Sequence, residues 1–88
     1  MILLKTNRYK KTVATLPAKT RKILIEQEIL LIQDIFHPKL HTKKLKIPGM
    51  VVFSLRITRN YRAIFRIDGK YVMLSAIGHR KDIYQSLE

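Results

Sequence analysis

Arg56, Arg62 and Arg80, together with His79 and Tyr84, lie between positions 56 and 84 of an 88-residue chain. An arginine can hold two phosphate oxygens at once, and a histidine exchanges a proton near neutral pH. Such a set suits phosphate chemistry. RNA is cleaved without metal when its own 2′-hydroxyl attacks the adjacent phosphate. A catalyst then removes one proton, supplies another to the leaving 5′-oxygen and stabilises the phosphorane charge. For that chemistry Arg62 and Arg80 fit the transition-state charge, His79 an acid or base, and Tyr84 base stacking or proton transfer. Each also has an ordinary structural use: a solvated arginine, a histidine bonded to a backbone carbonyl, a tyrosine anchoring the C-terminus.

Strand geometry is what gathers them. In Phe53-Ser54-Leu55-Arg56-Ile57 the apolar residues fall on one face, Ser54 and Arg56 on the other. In Tyr61-Arg62-Ala63-Ile64-Phe65-Arg66-Ile67 the large apolar positions alternate again, with Arg62 and Arg66 opposite them. A three-residue loop, Thr58-Arg59-Asn60, with Asn60 left-handed, pairs Ile57 with Tyr61 and Arg56 with Arg62 and keeps both apolar faces together. Asp68-Gly69 is the strongest short hairpin signal in the chain. As a two-residue turn it pairs Phe65 with Val72, Ala63 with Leu74 and Arg62 with Ser75. The expected core face is then Phe53, Leu55, Ile57, Tyr61, Ala63, Phe65, Ile67, Val72, Leu74 and Ala76. The third strand returns Gly78-His79-Arg80 to the end where Arg56 and Arg62 lie.

Two arginines opposed on one face repel unless an anion or carboxylate lies between them. The chain has only six acidic residues against eighteen Lys and Arg, a net charge of +12, and Asp82 is the one acid close by in sequence. That balance is the footprint of a polyanion binder, with nucleic acid as the polyanion. A membrane surface fits less well, because the charge is spread over helix, loop and strands rather than along one helix. Absence of cysteine removes disulfide and thiolate-metal scaffolds and accords with a reducing cytoplasm. The run Met1-Ile2-Leu3-Leu4 is too short for a signal peptide or membrane span and reads as a first strand. A soluble cytoplasmic protein is expected, and 88 residues hold one domain.

From Thr6 to Phe36 the pattern is helical. Thr6 or Asn7 caps a first helix that turns Tyr9, Val13 and Leu16 inward, and Pro17 opens a second. In the second helix Ile25, Ile29, Ile32 and Phe36 are spaced four, three and four and form the expected inward stripe. Leu24, Leu30, Leu31 and Ile35 add apolar surface beyond what one small sheet covers, a surplus that suggests a protein partner. Pro38 stops the helix. A basic connection follows, with Lys39, Lys43, Lys44 and Lys46, whose charge suits a phosphate backbone. His37 and His41 are four apart, but Pro38 interrupts the spacing and no third ligand is near, so no metal or cofactor is expected. There is no glycine-rich phosphate loop and no paired-carboxylate motif.

The order strand, two helices, basic connection, antiparallel sheet resembles the RelE/ParE superfamily of toxins from toxin-antitoxin modules. The residues carrying the likeness are Leu16-Pro17, Lys43-Lys44-Leu45-Lys46, Leu55-Arg56-Ile57, Tyr61-Arg62-Ala63-Ile64-Phe65 and Gly78-His79-Arg80-Lys81-Asp82-Ile83-Tyr84. The resemblance implies an α+β fold: an N-terminal strand, a helix hairpin and a three-stranded antiparallel meander completing one small sheet. It implies a metal-independent endoribonuclease acting on mRNA at the ribosome and held inactive by an acidic antitoxin. Arg62, Arg80 and Tyr84 take the positions of phosphate-contacting and base-side residues, and His79 resembles histidines that ribonuclease members use nearby. Arg56, Arg59, Lys43, Lys44 and Lys46 would bind substrate. The interval from Arg80 to Tyr84 is shorter than in RelE. A ParE-like inhibitor of DNA gyrase, and a plain nucleic-acid-binding module, are the alternatives; only the ribonuclease requires Arg62, His79, Arg80 and Tyr84 together.

Overall fold

The computed structural model describes residues 1–87, with side chains through Gln85. Strand β1 (Ile2–Lys5) leads into helix α1 (Asn7–Thr15). Thr6 caps that helix: its Oγ1 accepts the Tyr9 N–H at 3.2 Å and donates to the Ser75 carbonyl at 3.1 Å, joining the helix start to the sheet. Helix α2 (Ala18–Gln33) follows Pro17, which offers no side-chain cap. A 3-10 turn, Pro38–Leu40, is capped by His37, whose Nδ1 accepts from the Lys39 N–H at 3.1 Å. Strands β2 (Lys43–Leu45), β3 (Val52–Arg56), β4 (Tyr61–Asp68) and β5 (Tyr71–His79) complete the sheet, and a second 3-10 turn spans Ile83–Leu87.

The class is α+β as expected, but the sheet has five strands in the order β1-β5-β4-β3-β2, with β1 parallel to β5 and the other pairs antiparallel. The additional strand is β2, inside the segment expected to be an irregular basic connection. Its three residues Lys43, Lys44 and Leu45 lack strand preference. Short, lysine-rich pairing is how a sheet edge is kept from recruiting further strands.

Arg56 does pair with Arg62. The next turn is displaced: Gly69 and Lys70 are its central residues, Asp68 pairs with Tyr71, and Gly69 alone has a positive φ, of 57°, as a type II′ turn requires at its first position. Phe65 therefore pairs with Leu74 rather than Val72, a two-residue shift that preserves which face each residue occupies. A bulge at Ile64/Phe65 then leaves Ser75 over, so that Ala63 pairs with Ile77 and Arg62 with Gly78, not with Leu74 and Ser75. Because one extra residue reverses the alternation, Ile77 takes the helix-facing place expected of Ala76. Ala76 joins Val52, Ile64 and Ile83 in a second cluster on the other side of the sheet.

The main core is made by Tyr9, Leu16, Leu24, Leu31, Leu40 and the helix-facing sheet residues. The expected inward stripe of α2 is on the outside. Ile25, Ile29, Ile32 and Phe36 are 60%, 52%, 41% and 61% exposed, while Leu24, Gln27 and Leu31 are buried. Leu24 and Leu31 are seven apart, as are Ile25 and Ile32, so spacing alone does not choose between two apolar stripes. The structural tie is Gln27, whose Nε2 donates to the carbonyls of Lys39 at 3.2 Å and Arg56 at 2.9 Å.

Tyr9 is fully buried, its hydroxyl donating to Glu28 Oε2 at 2.8 Å, and Lys5 Nζ holds Glu28 Oε1 at 2.7 Å. Burial first, then the Glu28 charge and hydrogen bond, push the Tyr9 phenol well above its usual value of 10.0. The folded chain therefore keeps a proton that the unfolded chain releases above about pH 10, so stability is lost as pH rises past that point. Tyr9→Phe should remove this one-proton component of the alkaline slope and cost about 1–3 kcal/mol at neutral pH. Urea titrations at pH 7 and through the alkaline range read both effects; an unaltered alkaline slope would show that the Tyr9 proton does not couple to folding.

Candidate functional site

The site is built around the loop Thr58-Arg59-Asn60. Asn60 is not left-handed; among the described non-glycine residues only His41 has a positive φ. Instead, Thr58 Oγ1 accepts the N–H groups of Asn60 and Tyr61, each at 3.3 Å, and turns the chain by a side-chain bond. Arg62 closes the loop from below. Its Nη1 donates to the carbonyls of Thr58 at 2.7 Å, Arg59 at 3.1 Å and Tyr61 at 3.1 Å. Its Nε and Nη2 donors have no hydrogen-bond partner among the described residues, which leaves an edge of the guanidinium available to an anion.

The loop also fixes the end of β5, since the Arg80 N–H donates to the Asn60 carbonyl at 2.7 Å. The Arg80 side chain is exposed, as is that of Arg59. His79 is half-buried and pairs with Tyr61, the two rings lying 6.0 Å apart edge to face. Its Nδ1 accepts the Lys81 N–H at 3.2 Å, not the carbonyl bond weighed from sequence, and a neutral ring so bonded carries its proton on Nε2.

Register puts Arg56 and Arg62 on one face of the sheet and His79 with Tyr61 on the other, because neighbours along a strand alternate. All of them nevertheless stand at one end of the sheet. There a bound phosphate would have to sit across the strand ends to meet both arginine and histidine. Lys43 pairs with Ser54 and so shares the Arg56 and Arg62 face, whereas Lys44 pairs with Phe53 on the helix side. Lys46 is exposed just beyond β2.

Tyr84 is 40% exposed and Ile83 is 4% exposed, so Ile83 supplies the C-terminal anchor. Gly78, opposite Arg62, makes room for that anchor: a Cβ there would meet Ile83 Cδ1 at 3.3 Å. Gly78, Thr58 and Asn60 position the site; the sequence reading had the loop but not the Thr58 side-chain bonds that turn it, and gave Gly78 no role. Glycine inside a strand was the available sign of close approach at Gly78.

Among the described residues the only ion pair is Lys5 with Glu28, and Asp82 makes none. Arg56, Arg62 and Arg80 thus share one end of the sheet with no carboxylate partner among the described residues. No group of three His, Cys, Asp or Glu converges to hold a metal, and no helix is long and apolar enough to cross a membrane, among the described residues. A separate cleft of about 330 Å³, lined by Met50, Arg66 and Met73 among others, lies at the opposite end of β4 from Arg62.

No protein-family profile and no curated protein matches the sequence. Solved structures match the fold. RelE in its complex with RelB from Pyrococcus horikoshii has a TM-score of 0.78 at 18% identity, over 90% of this chain and 93% of that one. A YoeB/ParE toxin from Agrobacterium tumefaciens gives 0.78 at 16% identity, over 91% and 99%. The RelB-RelE antitoxin-toxin complex from Methanococcus jannaschii gives 0.74 at 25% identity, over 97% and 99%. Each match runs along almost the whole of both chains. The chain shares the fold of the RelE-like toxins seen in these structures.

Proposed function

We propose that this protein is the toxin of a toxin-antitoxin pair and acts as a metal-independent endoribonuclease on mRNA at the ribosome. The observation that carries this reading is the set of arginines Arg56, Arg62 and Arg80 at one sheet end, which no carboxylate among the described residues neutralises. A cluster of like charges costs stability in the free protein and is offset when a phosphate lies between them. Arg62 and Arg80 stabilise the phosphorane, His79 handles a proton through Nε2, and exposed Tyr84 stacks on a base or moves a proton. Arg59, Arg56 and Lys43 guide the flanking backbone, and an acidic antitoxin inhibits by covering this charge. Incubating ribosomes and a defined message with the protein, and mapping the 5′ ends produced, tests the reading. Cuts within the message are expected. Gyrase inhibition without any cut would replace this reading with the ParE-like one.

The register separates the lysines. Lys43→Ala should weaken RNA binding and lower the slope of log affinity against log salt by about 0.7, one phosphate contact to a single strand. Lys44→Ala, on the helix side, should leave the slope near its original value. Equal effects at both positions would show that RNA does not follow the Arg62 face of the sheet.

A further inference from the structure

Tyr61 meets both halves of the candidate site. Its ring lies 6.0 Å from that of His79, edge to face. Its carbonyl accepts from Arg62 Nη1 at 3.1 Å, although the Arg62 side chain leaves β4 on the opposite face. Register accounts for this reach, since Tyr61 forms the end pair of β4 and β5 with His79 and Arg62 follows it directly.

The backbone of Tyr61 is held from both sides. The Ile57 and Thr58 N–H groups donate to its carbonyl at 3.0 and 3.4 Å beside the Arg62 bond, and its own N–H donates to Thr58 Oγ1 at 3.3 Å. The side chain is half-buried and packs against the main core. Its hydroxyl has no hydrogen-bond partner among the described residues, so the ring is what it contributes. His79, by contrast, ends its strand. The one side-chain hydrogen bond it makes among the described residues runs from the Lys81 N–H to Nδ1. That bond selects the free nitrogen but lets the ring swing about it. An edge-to-face neighbour on a fixed backbone removes the swing.

We infer that Tyr61 is a positioning residue for His79: its ring holds the imidazole so that Nε2 is presented at the strand end, while its carbonyl holds the Arg62 guanidinium. The effect on rate rests on the ribonuclease reading; the effect on the imidazole does not. A misplacement of about 1 Å costs on the order of 100-fold in rate with the reacting groups intact, and that is the scale open to such a residue. A replaced side chain removes the ring and spares the carbonyl, so the His79 half alone should suffer.

Tyr61→Leu keeps apolar bulk towards the core. Its kcat should fall by about 10- to 100-fold with KM little changed, and Tyr61→Phe, which restores the ring, should recover the rate. Added to His79→Gln, Tyr61→Leu should cost nothing more; added to Arg62→Ala, it should multiply the loss. A residue serving only the fold would lower both double variants alike. Nitrogen-15 spectra of the substrate-free protein read the same contact. At alkaline pH the two His79 nitrogens should be widely separated in the wild type, as a ring fixed in the Nε2–H form requires. They should approach each other in Tyr61→Leu, where a swinging ring averages between tautomers, but not in Tyr61→Phe; His79→Gln identifies the signals. A folded Tyr61→Leu protein with wild-type His79 signals, or a Tyr61→Phe as slow as Tyr61→Leu, overturns the inference. If Tyr61→Leu does not fold, the wild-type spectra decide: averaged nitrogens, or no nuclear Overhauser contact between the two rings, overturn it. A wild type that cuts no RNA defeats the ribonuclease reading, and the spectra still settle whether Tyr61 holds His79.

Discussion

Replacing Arg62 by alanine should lower RNA cleavage by on the order of 100-fold or more, the scale seen when a preorganised donor to developing charge is removed. Two jobs converge on this residue. One edge of its guanidinium grips the carbonyls of Thr58, Arg59 and Tyr61, and the rest faces outward beside Arg56. Loss of the grip loosens the loop, at a cost of about 1 kcal/mol, while loss of the charge relieves repulsion with Arg56. The urea midpoint should therefore move little even though the rate collapses.

The two jobs can be separated. Added guanidinium should partly restore cleavage by Arg62→Ala if the missing group is the phosphate donor, since a free cation cannot rebuild a covalent loop clamp. Arg62→Lys keeps charge but not the forked geometry, and should fall between wild type and alanine. Because the Asn60 carbonyl holds Arg80, the loop also couples the two arginines. The Arg62→Ala, Arg80→Ala double variant should lose less than the product of the single losses. Full activity of Arg62→Ala would remove this residue from the phosphate site.

Local signals in the chain were legible to different depths. The cap at Thr6 or Asn7, which the structure resolves as Thr6, the inward Tyr9 and the pairing of Arg56 with Arg62 each follow from a rule acting within a few residues. The two-residue hairpin near Asp68-Gly69 was visible, but its centre was not, because glycine serves equally at either central position of the primed turns. The bulge at Ile64/Phe65 was hidden for a different reason. Skipping Ser75 depends on how β4 and β5 pack above the helices, and no short motif encodes that.

The same limit decided α2. Two apolar stripes with the same period compete there, and the winner is set by Leu24 and Leu31 meeting the core and by Gln27 reaching carbonyls 12 and 29 residues away. Strand β2 depends entirely on its neighbour, since Lys43 and Lys44 pair only because β3 presents an open edge. At the candidate site, the gathering of arginines at one sheet end was a consequence of antiparallel return. The shared face of Arg56 and Arg62 was legible too, but that of His79 was not, because a single bulge residue between Leu74 and Ala76 settles it.

Removing His79 should separate binding from chemistry. Here His79 lies at the same strand end as Arg62 but across the sheet, with Nδ1 occupied by the Lys81 N–H and Nε2 left to meet a substrate oxygen. His79→Gln can keep an acceptor for that N–H while losing the ring that exchanges protons, so the turn at Lys81 and Asp82 should survive. The cleavage rate should fall by about 10²- to 10⁴-fold, the range for a positioned acid or base, with RNA affinity changed little. Wild-type cleavage should yield a 2′,3′-cyclic phosphate and a 5′-hydroxyl fragment, because the attacking nucleophile is the substrate's own 2′-hydroxyl. It should proceed at full rate in EDTA. Activity lost on chelation would put a metal in the reaction, and a His79→Gln variant as fast as wild type would move the proton transfer to Tyr84 or to water held by Arg80.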